Sequence, residues 1–311
     1  MNRRRFVISA AAAPAAAAIG GSGCSTAEKR EPAFRFCLNT STINGGEIGL
    51  LKSIETAARA GYDGIEIWVR DLKACLDAGH SLSDIAGHVN EHGICVENAI
   101  GFAPWLTGQA GFEQMRQDMQ LLAAVGCRRI AAPPAGVPSD EPLDLFKAGE
   151  AYAGLLELGR ETGVMPQLEF WGASKVLWHL GQVLMIAAAA DDSDARILPD
   201  VYHLFRGGSG FDGLKLLSGE VIEIFHMNDY PDKPRKEQND ADRVYPGDGV
   251  APLAQILTDL KSCGGQTVLS LELFNREYWQ LDPQTVAETG LRKMQTAAAQ
   301  AGNKTMNKEV L

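Results

Sequence analysis

Four short apolar segments decide the fold of this chain: residues 166–170 (PQLEF), 196–200 (RILPD), 221–226 (VIEIFH) and 267–273 (TVLSLEL). Each contains one residue able to bind a metal ion, and these residues are Glu169, Asp200, His226 and Glu272. In a parallel barrel the carboxyl ends of the strands open onto one face, so ligands far apart in sequence can meet there. Three carboxylates and one imidazole are typical of a site for a divalent ion such as Mn²⁺ or Zn²⁺ and not of a cysteine-rich structural metal site. The four segments therefore predict strands that share one metal site.

A strand followed by a helix repeats roughly every thirty residues through the body of the chain. Eight such units predict an α/β fold, a (β/α)₈ TIM barrel, in a single domain over residues 34–301. The alternative is an open doubly wound sheet, but no Gly-x-Gly-x-x-Gly turn follows the first strand. We expect strands at 34–39, 64–69, 94–100, 128–132, 164–170, 197–200, 221–227 and 267–274. We expect helices near 47–60, 81–93, 112–125, 144–162, 174–190, 211–217, 252–264 and 283–301.

The first 24 residues resemble a twin-arginine export signal. Residues 3–5 (RRR) precede an apolar run, residues 8–19, that is too short to span a membrane. The alternative is an amphipathic N-terminal helix, although residues 11–18 (AAAPAAAA) offer no polar face. Residues 22–24 (SGC) resemble a lipoprotein cleavage box, in which Cys24 is acylated. The prediction is an exported protein, either periplasmic or lipid-anchored through Cys24.

Beyond the signal, residues 25–33 are expected to form a linker and residues 302–311 a C-terminal tail. The hydrophobic share of 45% is enough for a globular core. A net charge of −10 without a long basic run argues against a nucleic-acid partner. The membrane is expected to be a partner only through an N-terminal lipid anchor. Five cysteines remain after Cys24, an odd number without paired spacing, which does not predict a disulfide framework.

The four strand-end residues imply a particular chemistry. An ionised residue in an apolar strand is costly to bury alone, and a shared divalent cation would offset four of them. The alternative is that each is separately paired with a neighbouring Lys or Arg. A substrate that chelates such an ion through a carbonyl and an adjacent hydroxyl has its α-proton acidified, because the ion stabilises the enediolate. Glu169 and Glu272 could then remove and return the proton as an acid/base pair, without an organic cofactor.

Several motifs carry a family resemblance. They are QLEF (167–170), DVYH (200–203), HMND (226–229), DRVYPGDG (242–249) and ELFNREYW (272–279). Together they resemble the xylose-isomerase-like superfamily of sugar isomerases and epimerases, nearest to the 2-keto-myo-inositol isomerase and inosose dehydratase branch. The resemblance implies metal ligation by the four strand-end residues. It also implies a substrate-side role for His203 and Arg243. The export signal departs from the family pattern, whose members mostly act on intracellular metabolites.

Four further residues are candidates for the substrate site. Glu66, in an apolar strand, could bind a substrate hydroxyl or orient His226, and the alternative is a buried ion pair. Asp229 flanks a long polar segment that could close over the substrate. Trp68 and Trp171 could form a wall for a sugar, although a tryptophan is more often part of a core.

Three functions remain open from the sequence. The first is a metal-dependent isomerase or epimerase of a non-phosphorylated keto-sugar or keto-cyclitol. It is expected to use Mn²⁺ or Zn²⁺, with Co²⁺ and Mg²⁺ as alternatives. No Lys/Arg cluster along the sequence offers a phosphate site. The second is a lyase or dehydratase of a keto-sugar, inosose or oxidised (3-keto) glycoside. The third is a non-catalytic sugar-binding lipoprotein. A homo-oligomer is compatible with each.

Overall fold

A computed structural model describes residues 33–301, apart from Asn44, Gly46 and Glu141. The strands are β1 Phe34–Asn39, β2 Gly64–Trp68, β3 Cys95–Ile100, β4 Arg129–Ala132, β5 Met165–Glu169, β6 Ile197–Leu198, β7 Ile224–Met227 and β8 Thr267–Leu271. The helices are α1 Leu50–Ala60, α2 Val69–Asp77, α3 Leu82–Glu91, α4 Gln109–Ala124, α5 Leu145–Thr162, α6 Leu180–Ala189, α7 Val201–Gly207, α8 Leu253–Cys263 and α9 Pro283–Gln300. The predicted signal, Cys24, linker residues 25–32 and the tail lie outside these residues.

All eight strands are parallel and form a barrel, as predicted. One ladder runs in the order β3-β2-β1-β8-β7 and the other in the order β4-β5-β6. Between β6 and β7, the backbone N–H of His226 donates to the carbonyl of Pro199 at 2.9 Å, and Asp200 forms a parallel bridge with His226. On the other side of the barrel, β3 lies beside β4. This closure brings the carboxyl ends of all eight strands to one face.

Two elements differ most from the sequence prediction, and in addition α6 begins at Leu180 and β7 at Ile224, later than the predicted 174 and 221. The helix after β6 is α7, which begins directly after Asp200, whereas the predicted range 211–217 contains only a short 3₁₀ turn, Asp212–Leu216. Asp200 caps α7, because its Oδ1 accepts the N–H of His203 at 2.8 Å. An additional helix, α2, follows β2 without an intervening loop.

The core has two parts on either side of the strands. Successive strand residues face opposite sides, so Ile65 and Ile67 join the larger core cluster while Trp68 lies in the smaller one. The smaller cluster consists of Cys37, Trp68, Ile100, Ala131, Leu198, Ile224 and Val268. Every one of them belongs to a barrel strand. This cluster forms the packed floor on which the polar residues of the strand ends rest.

Ion pairs close the amino end of the barrel. Glu97 pairs with Arg35 at 2.7 Å and with Arg129 at 3.3 Å. Glu223 binds both Arg129 and Arg196, the latter at 3.0 Å. Burial raises the pKa of Glu223, but these two guanidinium groups outweigh it, so the pKa lies below its ordinary value.

Among the described helices, none has both the length and the apolar character needed to cross a membrane.

Candidate metal centre and active site

Three of the four predicted ligands meet at the carboxyl end of the barrel. Asp200, His226 and Glu272 each offer one ligand atom, and these atoms lie within 4.8 Å of one another. The Nδ1 atom of His226 is 3.2 Å from Glu272 Oε2 and 3.7 Å from Asp200 Oδ2. All three residues are buried, and they follow or end β6, β7 and β8. This is the arrangement that the sequence predicts for them.

Glu169 lies at the end of β5 on the wall of the same pocket, but outside that three-residue group. Its side chain is buried, and its Oε2 atom has no hydrogen-bond partner among the described residues. Burial raises the pKa of Glu169 to about 8; the charge of His226 opposes this shift, and Glu272 adds to it. The Oε2 atom of this buried carboxyl group is therefore available to a cation or to a substrate proton.

The donor set fits a divalent cation. His226 Nδ1 is buried, has no hydrogen-bond partner in the described structure and faces carboxylate oxygens of Glu272 and Asp200, so this atom is placed to hold either a proton or a metal ion. Burial lowers the pKa of His226, but the carboxylates of Glu272 and Glu66 outweigh it and raise this pKa well above its ordinary value. Two carboxylates and one imidazole, with Glu169 beside them, suit an ion such as Zn²⁺ or Mn²⁺.

Glu66 lies behind His226 and fixes its ring. Glu66 Oε1 is 3.0 Å from His226 Nε2, and its two oxygens also accept hydrogen bonds from Asn98 (2.7 Å), Asn39 (2.6 Å) and Ser270 (2.7 Å). The side chain is fully buried and does not line the pocket. Its position therefore matches the orienting role predicted for it and not the substrate contact.

Arg243 brings a positive charge to two of the predicted ligands. Its Nη1 donates to Asp200 Oδ2 at 2.9 Å and to Glu272 Oε2 at 2.6 Å. The guanidinium is only 1% exposed and stacks over the rings of Tyr202 and Phe274, 4.6 and 4.9 Å from their centroids. The alternative to a metal site, in which each strand-end residue pairs with a Lys or Arg, is thus partly met at Asp200 and Glu272. One arginine, however, cannot neutralise both carboxylates.

His203 and Arg243 both line the pocket. The N–H of Gly172 donates to His203 Nδ1 at 3.2 Å. Arg243 Nη2, which can only donate, lies 3.2 Å from His203 Nε2. Burial lowers the pKa of His203, and the Arg243 charge also lowers it against the opposing effect of Asp200. Both side chains lie where the substrate-side prediction places them.

Asp229 occupies a different place from the one predicted. Its carboxylate is 1% exposed and accepts the backbone N–H groups of Tyr230, Gly247 and Ala251 at 2.8, 2.9 and 2.8 Å. It is not among the residues that line the substrate pocket. The physical reason is that these backbone donors need a buried acceptor, so Asp229 anchors the loop instead of contacting a ligand.

Aromatic rings form one wall of the pocket, which has a volume of about 670 Å³. Trp68 packs edge-on against Phe274 and Phe102, with centroids 6.1 and 5.4 Å apart, and Phe102 packs against Trp171 at 5.8 Å. Trp68 and Trp171 are the predicted wall residues. Phe102 and Phe274 were not predicted, although each follows the end of a strand by two or three residues. The wall suits the C–H face of a sugar or cyclitol ring.

The fold and this site define a class of protein. The sequence model of the xylose isomerase-like TIM barrel matches residues 54–297, and the chain belongs to this family. An inosose isomerase of Bacillus velezensis is 28% identical over 265 residues, which cover 82% of this chain and 94% of that protein. A 3-dehydroshikimate dehydratase of Pseudomonas aeruginosa is 25% identical over 265 residues, which cover 79% of this chain and 39% of that protein. The chain is therefore an enzyme of the isomerase and dehydratase class.

Solved structures agree with the fold. The crystal structure of the IolI protein with a bound zinc atom superposes with a TM-score of 0.77 at 24% identity, covering 85% of this chain and 98% of that protein.

Proposed function

We propose that the protein is a metal-dependent isomerase or epimerase of a non-phosphorylated keto-sugar or keto-cyclitol. The observation that carries this proposal is the convergence of Asp200, His226 and Glu272 in one buried group, of which Glu272 lines a pocket with an aromatic wall. The similarity to an inosose isomerase, which covers 82% of this chain and 94% of that protein, supports a cyclitol or sugar as the substrate.

Asp200, His226 Nδ1, Glu272 and Glu169 are the residues that would hold one divalent ion, with Zn²⁺ or Mn²⁺ favoured and Co²⁺ or Mg²⁺ as alternatives. When bound, this ion supplies Lewis acidity to a carbonyl and its neighbouring hydroxyl, which acidifies the carbon-bound proton between them. The zinc atom in the related IolI structure supports a divalent ion and leaves its identity in this chain open.

The chain's own residues would then move the proton and hold the substrate. Glu169 and Glu272 are proposed as the acid/base pair: one, as a carboxylate, removes the α-proton, and the other, as a protonated carboxyl group, returns a proton to the enediolate. The Arg243 guanidinium would donate to a substrate oxygen, with His203 beside it, and fix the carbonyl orientation. Trp68 and Trp171 would cover the ring and exclude water. No organic cofactor is needed for these steps.

A dehydratase or lyase is the second candidate. It uses the same proton removal, after which the enediolate expels a β-hydroxyl or a glycosidic oxygen instead of accepting a proton. The similarity to a 3-dehydroshikimate dehydratase favours it. The sugar-binding lipoprotein is the third candidate, and it requires binding without proton exchange.

One experiment separates the three. Protein loaded with Zn²⁺ or Mn²⁺ is incubated with a panel of inososes and keto-hexoses in deuterated water, and the products are followed by NMR. Deuterium incorporation next to the carbonyl with a rearranged or inverted product is expected, and chelation should abolish it. Loss of water or of an aglycone identifies the lyase. Binding of the same compounds without any exchange would leave only the binding protein.

We also propose export by the twin-arginine route, followed by a periplasmic or lipid-anchored location through Cys24. Replacing Arg4 and Arg5 together by lysine should retain the protein in the cytoplasm, as measured by cell fractionation. Cys24→Ala should release an anchored protein from the membrane fraction. Unchanged fractionation of both variants would contradict the proposal.

A further inference from the structure

A shallow pocket with four cationic side chains lies beside the mouth of the active site. Its volume is about 370 Å³. The basic pocket, as we call it, is lined by Lys175, Arg206, Arg235 and Lys236 together with the ring of Trp178 and the backbone of Gly172 and Gly207. None of its lining residues is acidic, although acidic residues outnumber basic ones by 39 to 29 in the whole chain. The pocket therefore carries a local charge opposite to that of the protein.

These cations lack the carboxylate partners that other cations of the protein have. Within the described residues, Lys175, Arg235 and Lys236 form no ion pair, and Arg206 donates only to the carbonyl of Gln238 at 3.2 Å. Elsewhere on the surface, Lys215 pairs with Asp212 at 2.7 Å and Arg160 bonds two aspartates at 3.0 Å. Because four uncompensated cations repel one another, a bound anion would relieve that repulsion.

The floor of the basic pocket is built by close backbone contacts. A Cβ atom on Gly207 would lie 1.9 Å from the carbonyl oxygen of Trp178, and a Cβ on Gly172 would lie 2.6 Å from the N atom of Gly207. Neither glycine can carry a side chain without moving these segments apart. The glycines thus allow the segments that carry Trp178 and Arg206 to pack closely, and Trp178 beside them is 39% exposed.

The shape of the pocket favours a sugar acid over a bare anion. An exposed indole next to cations offers a stacking surface for the C–H face of a ring and charge for a carboxylate on that ring. A small inorganic anion would use the charge and leave the indole without a contact. The combination therefore indicates a carboxylate-bearing saccharide unit.

The basic pocket adjoins the active-site pocket. Ala173 and Ser174, in the loop after β5, line both pockets. The active-site pocket, at about 670 Å³, belongs to the size range that holds ligands larger than a single six-carbon ring. One elongated ligand could therefore occupy both pockets at once.

We propose that the basic pocket binds the carboxylate-bearing unit of an acidic saccharide, whose neighbouring unit is the sugar transformed at the metal centre. This inference rests on the proposed function for the fate of the neighbouring unit, whereas binding of the acidic unit can be measured without turnover. It names the substrate class as a glycoside with a uronic acid residue next to the reacting sugar.

The test is a titration of the metal-loaded protein with oligogalacturonides of two to four units and with neutral malto-oligosaccharides of the same length. The acidic chains are expected to bind at least tenfold more tightly, with an affinity that falls as salt rises. The variant Lys175→Gln/Arg235→Gln/Lys236→Gln should lose this preference. A control with the same charge change at distant exposed positions, Lys147→Gln/Lys261→Gln/Arg292→Gln, should keep it.

The same protein is also titrated with inorganic phosphate and with vesicles that contain anionic lipid. Equal affinity for acidic and neutral chains overturns the proposal, as does a preference that survives the triple variant. Binding of phosphate or vesicles through the three cations without binding of the acidic chains also overturns it. If the Glu272→Gln variant keeps the preference for acidic chains, the subsite is supported independently of turnover. If the wild-type protein then shows no proton exchange, the proposed function is contradicted while the subsite stands.

Discussion

The two ends of the barrel treat buried charge in opposite ways. At the amino end, Arg35, Arg129 and Arg196 are matched by Glu97 and Glu223 in a connected set of ion pairs. At the carboxyl end, the carboxylates Glu66, Glu169, Asp200 and Glu272 lie near two histidines, His226 and His203, and Arg243 is the only Lys or Arg of the described residues that pairs with any of them. Each glutamate of the amino end therefore has two arginine partners, whereas the carboxyl end holds excess negative charge.

This difference separates stability from function. A charge that is fully paired within the protein contributes to folding and leaves nothing to react. A buried carboxylate that is short of partners costs stability, and such groups are retained where they bind an ion or move a proton. Substitutions at the carboxyl end should therefore change activity, and substitutions at the amino end should change stability.

The largest effect is expected for Glu272→Gln. The amide keeps the size of the side chain but loses both the ligand charge and the proton-transfer role, so kcat should fall by about a thousandfold or more. Steady-state kinetics on the substrate identified by isotope exchange measures this, with circular dichroism to verify the fold. A variant within tenfold of the wild type would remove Glu272 from the acid/base pair.

Glu66→Gln should act on the metal affinity. Glu66 holds His226 Nε2 at 3.0 Å, and loss of a carboxylate behind a ligating histidine typically weakens metal binding about 10- to 100-fold. Competition with a chelating dye gives the dissociation constant. Glu97→Gln is the matched control, since it removes a buried carboxylate from the amino end and should leave metal affinity unchanged. Equal effects of the two variants would mean that the loss reflects general destabilisation.

The sequence predicts the barrel and the convergence of Asp200, His226 and Glu272 because both depend on periodic patterns. Apolar strands recur at regular spacing, and the three residues stand at or near equivalent strand ends. These features need only the chain direction and the closure of the barrel. The sequence also predicts Glu169 as a fourth ligand, and this residue lies outside the group of three. Glu66 is a candidate because it is a charged residue in an apolar strand, whereas its contact with His226 is visible only in the fold.

Other features depend on contacts that sequence spacing does not contain. Asp229 looks like a substrate ligand until its backbone donors are known. The basic pocket is invisible as a cluster, because Lys175, Arg206 and Arg235 come from three separate segments that meet only in the fold. The sequence predicts the helix after β6 about ten residues too late. The reason is that Asp200 is the N-cap of α7, whereas the sequence pattern indicates only a metal ligand at this position.

Glu223→Gln should lower stability at neutral pH by about 1 kcal/mol and should leave activity intact, because it weakens two ion pairs at the amino end. The pKa of Glu223 is lower in the folded protein than in the unfolded chain, so its contribution is fully present above the unfolded value of about 4.3. That contribution is lost as pH falls through the folded pKa. Urea unfolding between pH 7 and pH 3 should therefore show wild type and variant converging at the acid end. A constant difference across this range would contradict the assignment.

The smallest effect is expected for Phe102→Leu on the aromatic wall. The ring is 45% exposed and packs against Trp68 and Trp171, so its loss removes part of the surface that covers a bound sugar while all proton-transfer groups stay in place. KM should rise a few-fold with kcat nearly unchanged, because ground-state and transition-state binding weaken together. Phe146→Leu is a suitable control, since this ring is 64% exposed and does not line the pocket. A fall in kcat without a change in KM would show instead that Phe102 positions the reacting groups. The apolar wall would then contribute to the chemical step together with the charged residues of the carboxyl end.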